Sequence, residues 1–438
     1  MKRIKIGLIG FGTIGTGVVK ILQKNSAVIR QRLGASLELQ RIADLDITTA
    51  RDVTVRRELL TTDAAQVLDD PEIDIVIELM GGIEPAKKFI LRAIKNGKHV
   101  VTANKALLAE HGDEIFRAAA EYGVDVAFEG SVGGGIPIIR ALREGLPANN
   151  IRGIFGILNG TSNYILSRMT VEGGKFEDIL KDAQAQGYAE ADPTLDIEGI
   201  DTAHKLAILA HLAYGKKIDL KKIYTEGISK ITPLDIEFVR ELGYKIKLLA
   251  ICHGSEQEID ARVHPTLIPD SHLLSRIDGT FNAIFLQGDA VGPCMLYGRG
   301  AGMMPTGSAV VSDVMELSRN IIKGISQRML ALEKETSKKI KIKNIQDIHT
   351  RYYLRFSAVD KPGVLAKIAG VLGRHQISIH SVVQRGRRTR GGAVPVFMLT
   401  HEARESDLQK ALREMHKLSI LKARTVFIRM EESFLKTE

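Results

Sequence analysis

Residues 4–15 read IKIGLIGFGTIG, and their reading decides the fold. A short apolar run, 4–9, leads straight into Gly10-Phe11-Gly12-Thr13-Ile14-Gly15, and a helical pattern follows from 16. Gly10 permits a tight turn, Gly12 lets backbone approach a pyrophosphate, and Gly15 lets helix and strand pack closely. The helix N-terminus then faces the anion. By itself a GxGxxG is a weak signal. Here it opens an alternating series, with strands expected over 4–9, 37–43, 73–79, 98–102 and 125–128. Helices are expected over 16–33, 85–96 and 105–122. That alternation implies an α/β fold, a Rossmann-type doubly wound parallel sheet with crossover helices.

The second strand ends on Arg41-Ile-Ala43-Asp44-Leu-Asp46. An acid at this place binds a ribose 2′-hydroxyl and repels a 2′-phosphate, so Asp44 favours NAD. It stands 34 residues after Gly10 rather than the usual roughly 20, which makes the first crossover long. Val100-Val101-Thr102-Ala103-Asn104-Lys105 ends another strand and starts a helix. A cation at a helix N-terminus is electrostatically disfavoured, so Lys105 reads as functional rather than as a solvated surface lysine. Residues 128–137, FEGSVGGGIP, offer glycine carbonyls and the Glu129 carboxylate, oxygen donors that suit a hard cation or, equally, a hinge.

From 131 to 300 the texture becomes α+β, with strands expected over 152–158, 259–264, 282–287 and 292–297 and helices over 202–213 and 235–241. This is read as a second domain, to which the resemblance given below assigns substrate binding and dimerisation. The segment 298–317, GRGAGMMPTGSAVVSDVMEL, is expected to return the chain to the first domain, so that 1–130 is completed by about 300–332. A polar linker is expected over 333–350, and 351–438 shows a β-α-β-β-α-β pattern, that of a ferredoxin-like module.

One further stretch, 183–205, reads AQAQGYAEADPTLDIEGIDTAHK. It concentrates Glu190, Asp192, Asp196, Glu198 and Asp201 and ends on Lys205. Asp201 and Lys205 stand four residues apart at the start of an apolar helical pattern, so they share a helix face and pair. The plain alternative is an acidic first turn that suits the helix dipole, with Lys205 as its partner. That alternative leaves the loop of Gly187, Asp192-Pro193 and Gly199 without a reason.

The chain of 438 residues has room for three cores, and its net charge of +9 is spread along it. No aromatic-interleaved basic stripe speaks for nucleic acid. No apolar run approaches the ~18 residues of a membrane span, and the N-terminal run is too short and glycine-broken for a signal peptide. Cys252 reads as core and Cys294, after Gly-Pro, as a turn residue. Neither has a metal, disulfide or nucleophilic setting, so a reducing cytoplasm and chemistry without a covalent thiol are expected. The 385–392 stretch, RGRRTRGG, is read as a solvated basic hairpin loop.

The chain resembles homoserine dehydrogenase of the monofunctional bacterial type with a C-terminal ACT domain. The family signature GYxExDPxxDxxGxDxxxK is matched from Gly187 to Lys205, and VTANKALLA, LNGTSNYIL, EGSVGGGIPII and GAGMMPTGSAVVSD match elsewhere. The resemblance implies NADP- or NAD-dependent interconversion of L-homoserine and L-aspartate 4-semialdehyde, in threonine, methionine and isoleucine biosynthesis. Carried over by position, Lys205 is the acid/base lysine, with Lys105 and Asp201 in the same site. Glu190 takes the substrate amino group, with Asp196 and Gly187 in the polar pocket. Sodium maps onto Glu129 and the carbonyls of Val132, Gly134 and Ile136, and Gly302 lies near the cofactor. Ala43 stands where many relatives carry a basic residue, which weighs against NADP. Val359-Asp-Lys-Pro-Gly-Val-Leu-Ala366 resembles the ACT signature, so Asp360, Gly363, Val364 and Gln384 are the expected contacts of an amino-acid effector, L-threonine. A module that only promotes oligomerisation is the alternative there. The resemblance also implies a homodimer or homotetramer. Two rival readings are another semialdehyde or imine reductase on this fold and a dinucleotide-linked amino-acid sensor without turnover.

Overall fold

The computed structural model describes residues 2–216, 218–255, 258–328, 341–385 and 392–433. They form two compact units. The first holds Met1–Gly160, Asp201–Ile223 and Thr280–Ile340; the second holds Thr161–Ile200, Tyr224–Gly279 and Lys341–Glu438.

The first unit is built on a six-stranded parallel sheet. In spatial order its strands are Leu60–Thr61, Ser36–Ala43, Arg3–Ile9, Ile75–Glu78, His99–Thr102 and Val126–Ala127. Its central strands are apolar on both faces because both faces are covered. On one face Ile4, Ile6, Leu8, Ile75 and Ile77 pack with Val18 and Val19 of helix Thr13–Lys24, and with Val310 and Val314 of helix Met303–Lys323. On the other, Ile9, Val76 and Val100 pack with Ile90 and Ile94 of helix Ala86–Lys95 and with Leu107 and Ile115 of helix Lys105–Tyr122. The sheet is thus doubly wound, as the sequence implies. Chain order reverses at Arg3–Ile9, so the ends of Arg3–Ile9, Ile75–Glu78 and His99–Thr102 form the crevice where such folds bind ligands.

The helix expected over 16–33 is two helices, Thr13–Lys24 and Ser26–Leu33. Asn25 divides them: its amide still closes on Ile21 at 2.9 Å, and its carbonyl starts the next helix at Ile29. Asparagine gains little from the helical backbone and readily sits between helices. The same unit carries three antiparallel strands in the order Gly292–Arg299, Phe281–Gly288 and Ile151–Ile157. Cys294 lies within the first of these rather than in a turn. Pro293 is tolerated beside it because it is the strand's second residue, at the sheet edge.

In the second unit, strands Tyr244–Gly254 and Glu258–Pro269 form a long antiparallel hairpin; the first of these two strands was not anticipated. Strand Val426–Met430 runs parallel to Glu258–Pro269, through Thr266 opposite Arg429. It is followed in space by Tyr352–Val359, Ala393–Thr400 and Ile379–Gln384. Helices Val364–Arg374 and Glu405–Met415 cover one face over Leu354, Phe356, Ile368, Leu408 and Leu412. This is the expected ferredoxin-like β-α-β-β-α-β order. Its sheet continues the hairpin directly, and Lys341–Ile342 adds to Glu258–Ile259. Residues 333–340 of the expected linker, and 386–391 of the expected basic loop, lie outside the described residues.

Polar contacts lock this junction. Asp235, fully buried, accepts from Tyr353 Oη at 2.9 Å and Arg355 Nε at 2.6 Å, and it closes a capping box with Thr232. Arg429 reaches Glu405 and Glu226, each at 2.8 Å. Among the described residues, no helix is long and apolar enough to cross a membrane.

In the first unit, helices Thr13–Lys24 and Met303–Lys323 cross on glycines. A Cβ on Gly17 would stand 2.3 Å from the carbonyl oxygen of Met303. Gly17→Ala should therefore push these helices apart and lower stability by about 1–3 kcal/mol. Gly12→Ala, with nothing within 4 Å of its Cβ, should stay within about 0.5 kcal/mol of wild type when both variants are unfolded in urea.

Candidate active site

Helix Ile200–Tyr214 begins with an acid and places a lysine one turn on, and both side chains turn inward. Lys205 Nζ donates to Asp201 Oδ2 at 2.7 Å and to the Leu158 carbonyl at 2.6 Å. Asn159 Nδ2 donates to the same carboxylate oxygen at 2.9 Å. The other oxygen, Oδ1, lies 2.9 Å from Lys105 Nζ. One buried carboxylate therefore bridges two ammonium groups. Burial alone would raise the Asp201 pKa, but the charges of Lys205 and Lys105 outweigh it and hold the group well below the carboxylate range. The two lysines differ in access: the Lys105 side chain is 42% exposed and that of Lys205 9%. His204, beside Lys205 on the helix, is held below its ordinary pKa by burial.

Lys105 reaches this place because strand His99–Thr102 ends just before it. Asn104 Oδ1 caps helix Lys105–Tyr122 through the Leu107 amide at 3.1 Å. A lysine in the first turn opposes the helix dipole, and Asp201 supplies the compensating charge. The expected trio Lys105, Asp201 and Lys205 is thus brought together. Asn159, the Leu158 carbonyl and Asn104 were missed as its supports. Their signal was present in LNGTSN and TANK, where a polar cluster follows a strand.

At the glycine turn, Gly10 has φ +98°, and a Cβ there would meet the Leu79 carbonyl oxygen at 2.7 Å. No side chain caps helix Thr13–Lys24, and none caps helix Met303–Lys323, which opens on Gly302 at φ +117°. The Gly17–Met303 approach sets these two helix starts close together. Open space at Gly12, the tight Gly10 turn and uncapped first-turn amides fit a dinucleotide pyrophosphate.

Asp44 has a second task here: Oδ2 accepts from the Phe11 amide at 2.5 Å and Oδ1 from the Asp46 amide at 2.9 Å. Arg51, which sequence reasoning passed over, lies on the same loop. It donates to the carbonyls of Phe11, Thr49 and Asp46 and stacks 4.8 Å from the Phe11 ring centroid. Its guanidinium is 3.9 Å from Asp44.

In the glycine segment after Phe128, the Glu129 carboxylate accepts from the Ile139 and Arg140 amides, both at 2.9 Å. The Ile136 carbonyl accepts from Ile138 at 2.8 Å, and Gly134 approaches Gly300 too closely for any Cβ. Among the described residues, no three His, Cys, Asp or Glu side chains form a metal-binding group.

The signature loop 187–200 belongs to the second unit. Gly187, at φ +74°, ends the preceding helix; Glu190 is exposed, and its carbonyl accepts from Gln184. Asp196 is half-buried, and its carbonyl accepts from Ser162 at 2.8 Å. In the ferredoxin-like module, Gln384 Nε2 donates to Asp360 Oδ1 at 3.1 Å. Gly363, at φ +81°, opens helix Val364–Arg374, and Val364 is buried.

Asp201→Asn keeps the shape but leaves Lys205 buried without its counter-charge. It should cost about 3–5 kcal/mol, as broken buried pairs do. Because the folded-state pKa of Asp201 is depressed, its stabilisation is present above the ordinary carboxylate value of about 4 and fades as pH falls below it. Denaturant titrations from pH 7 down to pH 3 should show a flatter acid limb in the variant.

Comparison with known proteins gives this geometry its relatives. The chain matches the profile of homoserine dehydrogenase over 137–315, that of the homoserine dehydrogenase NAD-binding domain over 10–129, and that of the ACT domain over 352–419. It is 45% identical to homoserine dehydrogenase of Pseudomonas aeruginosa over 434 residues, 99% of this chain and 100% of that one. A crystal structure of a homoserine dehydrogenase from Thiobacillus denitrificans superposes with a TM-score of 0.92 at 46% identity, covering 99% of both chains. A hyperthermophilic archaeal homoserine dehydrogenase mutant in complex with NADPH matches 72% of this chain and 98% of its own, with a TM-score of 0.62 at 26% identity. Identity of this order over almost every residue places the chain in the homoserine dehydrogenase family, as an oxidoreductase with an NAD-binding domain and an ACT domain.

Proposed function

We propose that the protein interconverts L-homoserine and L-aspartate 4-semialdehyde, with the Lys105–Asp201–Lys205 cluster handling the reacting oxygen. The observation that carries this is the single buried carboxylate that fixes two lysines. A bound nicotinamide supplies or takes the hydride. The residues of this chain manage the proton. Homoserine oxidation removes a hydride from the carbinol carbon and a proton from its hydroxyl. Lys205, as neutral amine, accepts that proton, and as ammonium it returns it to the alkoxide in the reverse direction. Lys105, the more exposed of the two, donates to the same oxygen and orients it. Glu190, with Asp196 and Gly187, takes the substrate ammonium.

The cofactor is held by Gly10–Gly15 and the turn at Gly302. Asp44 is already engaged with loop amides, and Arg51 adds a guanidinium beside it. A 2′-phosphate meets a cation there as well as an acid, so NADP serves alongside NAD, and NADP is the ligand named for the archaeal relative. Sodium held by Glu129 and the carbonyls of Val132, Gly134 and Ile136 would stiffen the glycine turn. In the ACT module, Asp360 and Gln384 come together beside Gly363 and Val364, and they suit an amino-acid effector, L-threonine. Leu365, Val382 and Val383 are exposed near them, an apolar surface for pairing of modules in a homodimer or homotetramer. The protein then serves cytoplasmic threonine, methionine and isoleucine biosynthesis.

Initial rates of homoserine oxidation, read at the nicotinamide band, should show turnover with both NADP and NAD and a lower rate with L-threonine. Absence of turnover with either cofactor would overturn the reading. In the same assay, Lys205→Ala should lose about 10²–10⁴ in kcat. Near-normal turnover with unchanged pH dependence would remove Lys205 as the proton carrier.

A further inference from the structure

Strand Ile75–Glu78 ends on a carboxylate where its neighbours are apolar. Glu78 has no exposed surface, and nothing in the proposed chemistry uses it. Burial pushes its carboxyl up to about 7, against the hydrogen bonds from Thr102, Met80 and Asn104 that favour the ionised form. A buried acid at a strand end is costly unless its lone pairs are used. Here both oxygens accept: Oε1 from the Met80 amide at 2.7 Å and Oε2 from Thr102 Oγ1 at 2.7 Å.

The second of these bonds begins a continuous series. Thr102 Oγ1, its hydrogen committed to Glu78, accepts the Asn104 amide at 3.0 Å. Asn104 then caps the following helix through Leu107 at 3.1 Å and donates from Nδ2 to the Gly82 carbonyl at 2.7 Å. The next residue is Lys105, whose Nζ lies 2.9 Å from Asp201. The first bond holds Met80, and the residue before it, Leu79, lies against the Gly10 turn: its amide donates to the Ile9 carbonyl at 2.8 Å. One carboxylate therefore ties the strand-end loop beside the glycine turn to the turn that carries a site lysine.

We propose that Glu78 is a positioning residue, which through Thr102 and Asn104 fixes the direction of Lys105 and so the placement of the reacting oxygen. This rests on the reading that Lys105 works at that oxygen. Glutamine at 78 keeps the Met80 bond through its carbonyl but can only donate to Thr102, whose hydroxyl must then turn and accept beside the Asn104 amide, so the direction of the series is reversed with little change in volume.

The test is steady-state kinetics of the full chain with Glu78→Gln, Thr102→Val and the double variant, beside thermal melting and Lys105→Ala. Each single variant should lower kcat about ten- to a hundredfold, as misplacement of a reacting group does. KM for the cofactor should move less than kcat. The double variant should be no worse than the worse single one, because both break one connection. Thr102→Ser, which restores the hydroxyl, should recover kcat relative to Thr102→Val. A folded Glu78→Gln with kcat within about twofold of wild type, or additive losses in the double variant, overturns the proposal. If Glu78→Gln does not fold, equal kcat in Thr102→Val and Thr102→Ser overturns it instead. Normal turnover in Lys105→Ala removes the underlying reading of the lysine, and Glu78 with it. A defective Lys105→Ala beside a normal Glu78→Gln removes Glu78 alone.

Discussion

The site depends on one constraint: a carboxylate out of water must satisfy two ammonium groups at once. Removing Asp201 and Lys205 from solvent is unfavourable for each separately, and their attraction offsets this only with good geometry and full hydrogen bonding. The geometry is supplied by the helix, which sets the two residues one turn apart. The bonding is completed from outside the helix by the Leu158 carbonyl and by Asn159. Both lie at the end of strand Ile151–Ile157, so the strand's position in its sheet is felt directly at the lysine. Lys105 adds the second cation from a different sheet. The cluster is therefore a meeting of three elements, and its charge balance holds only when all three are in place.

The cofactor side of the same unit works by omission of side chains. Glycines at 10, 17 and 307 let a turn and two helices approach more closely than any Cβ allows. Two helix starts without side-chain caps result. Unsatisfied first-turn amides are a cost in the empty protein and a gain once an anion accepts from them. Asp44 and Arg51 brace this loop from behind, one accepting its amides and the other donating to its carbonyls.

Much of this was legible in the sequence, for reasons that can be named. The parallel sheet announced itself because residues such as Ile75-Val76-Ile77 must be apolar on both faces. The pair Asp201 and Lys205 was legible because helical spacing alone brings them together. What stayed hidden depends on chain segments far apart. That the Asp44 oxygens also accept from Phe11 and Asp46 shows only in the folded loop. Arg51 lies in an irregular stretch with no periodicity, so nothing local points it at Phe11. Glu78 looks like the polar end of a strand until Thr102 of the neighbouring strand faces it. The break at Asn25 was missed because a cap residue carries a weak local signal, and Cys294 was read as a turn residue although the strand expected over 292–297 contains it.

The second unit joins the signature loop to the regulatory module without a gap. Gly199 closes that loop against Val263, where a Cβ would come within 3.1 Å, and the Ile197 carbonyl accepts from Ile228 at 2.8 Å. Val263 belongs to strand Glu258–Pro269, and that strand pairs with Val426–Met430 of the ferredoxin-like module. Arg429, on the pairing strand, also bonds Glu226, in the segment that touches Gly199. Buried, fully paired groups of this kind do not shift by small amounts, because a partial shift leaves a charge unsatisfied. Strand Glu258–Pro269 and Arg429 therefore connect the module to the loop within the second unit.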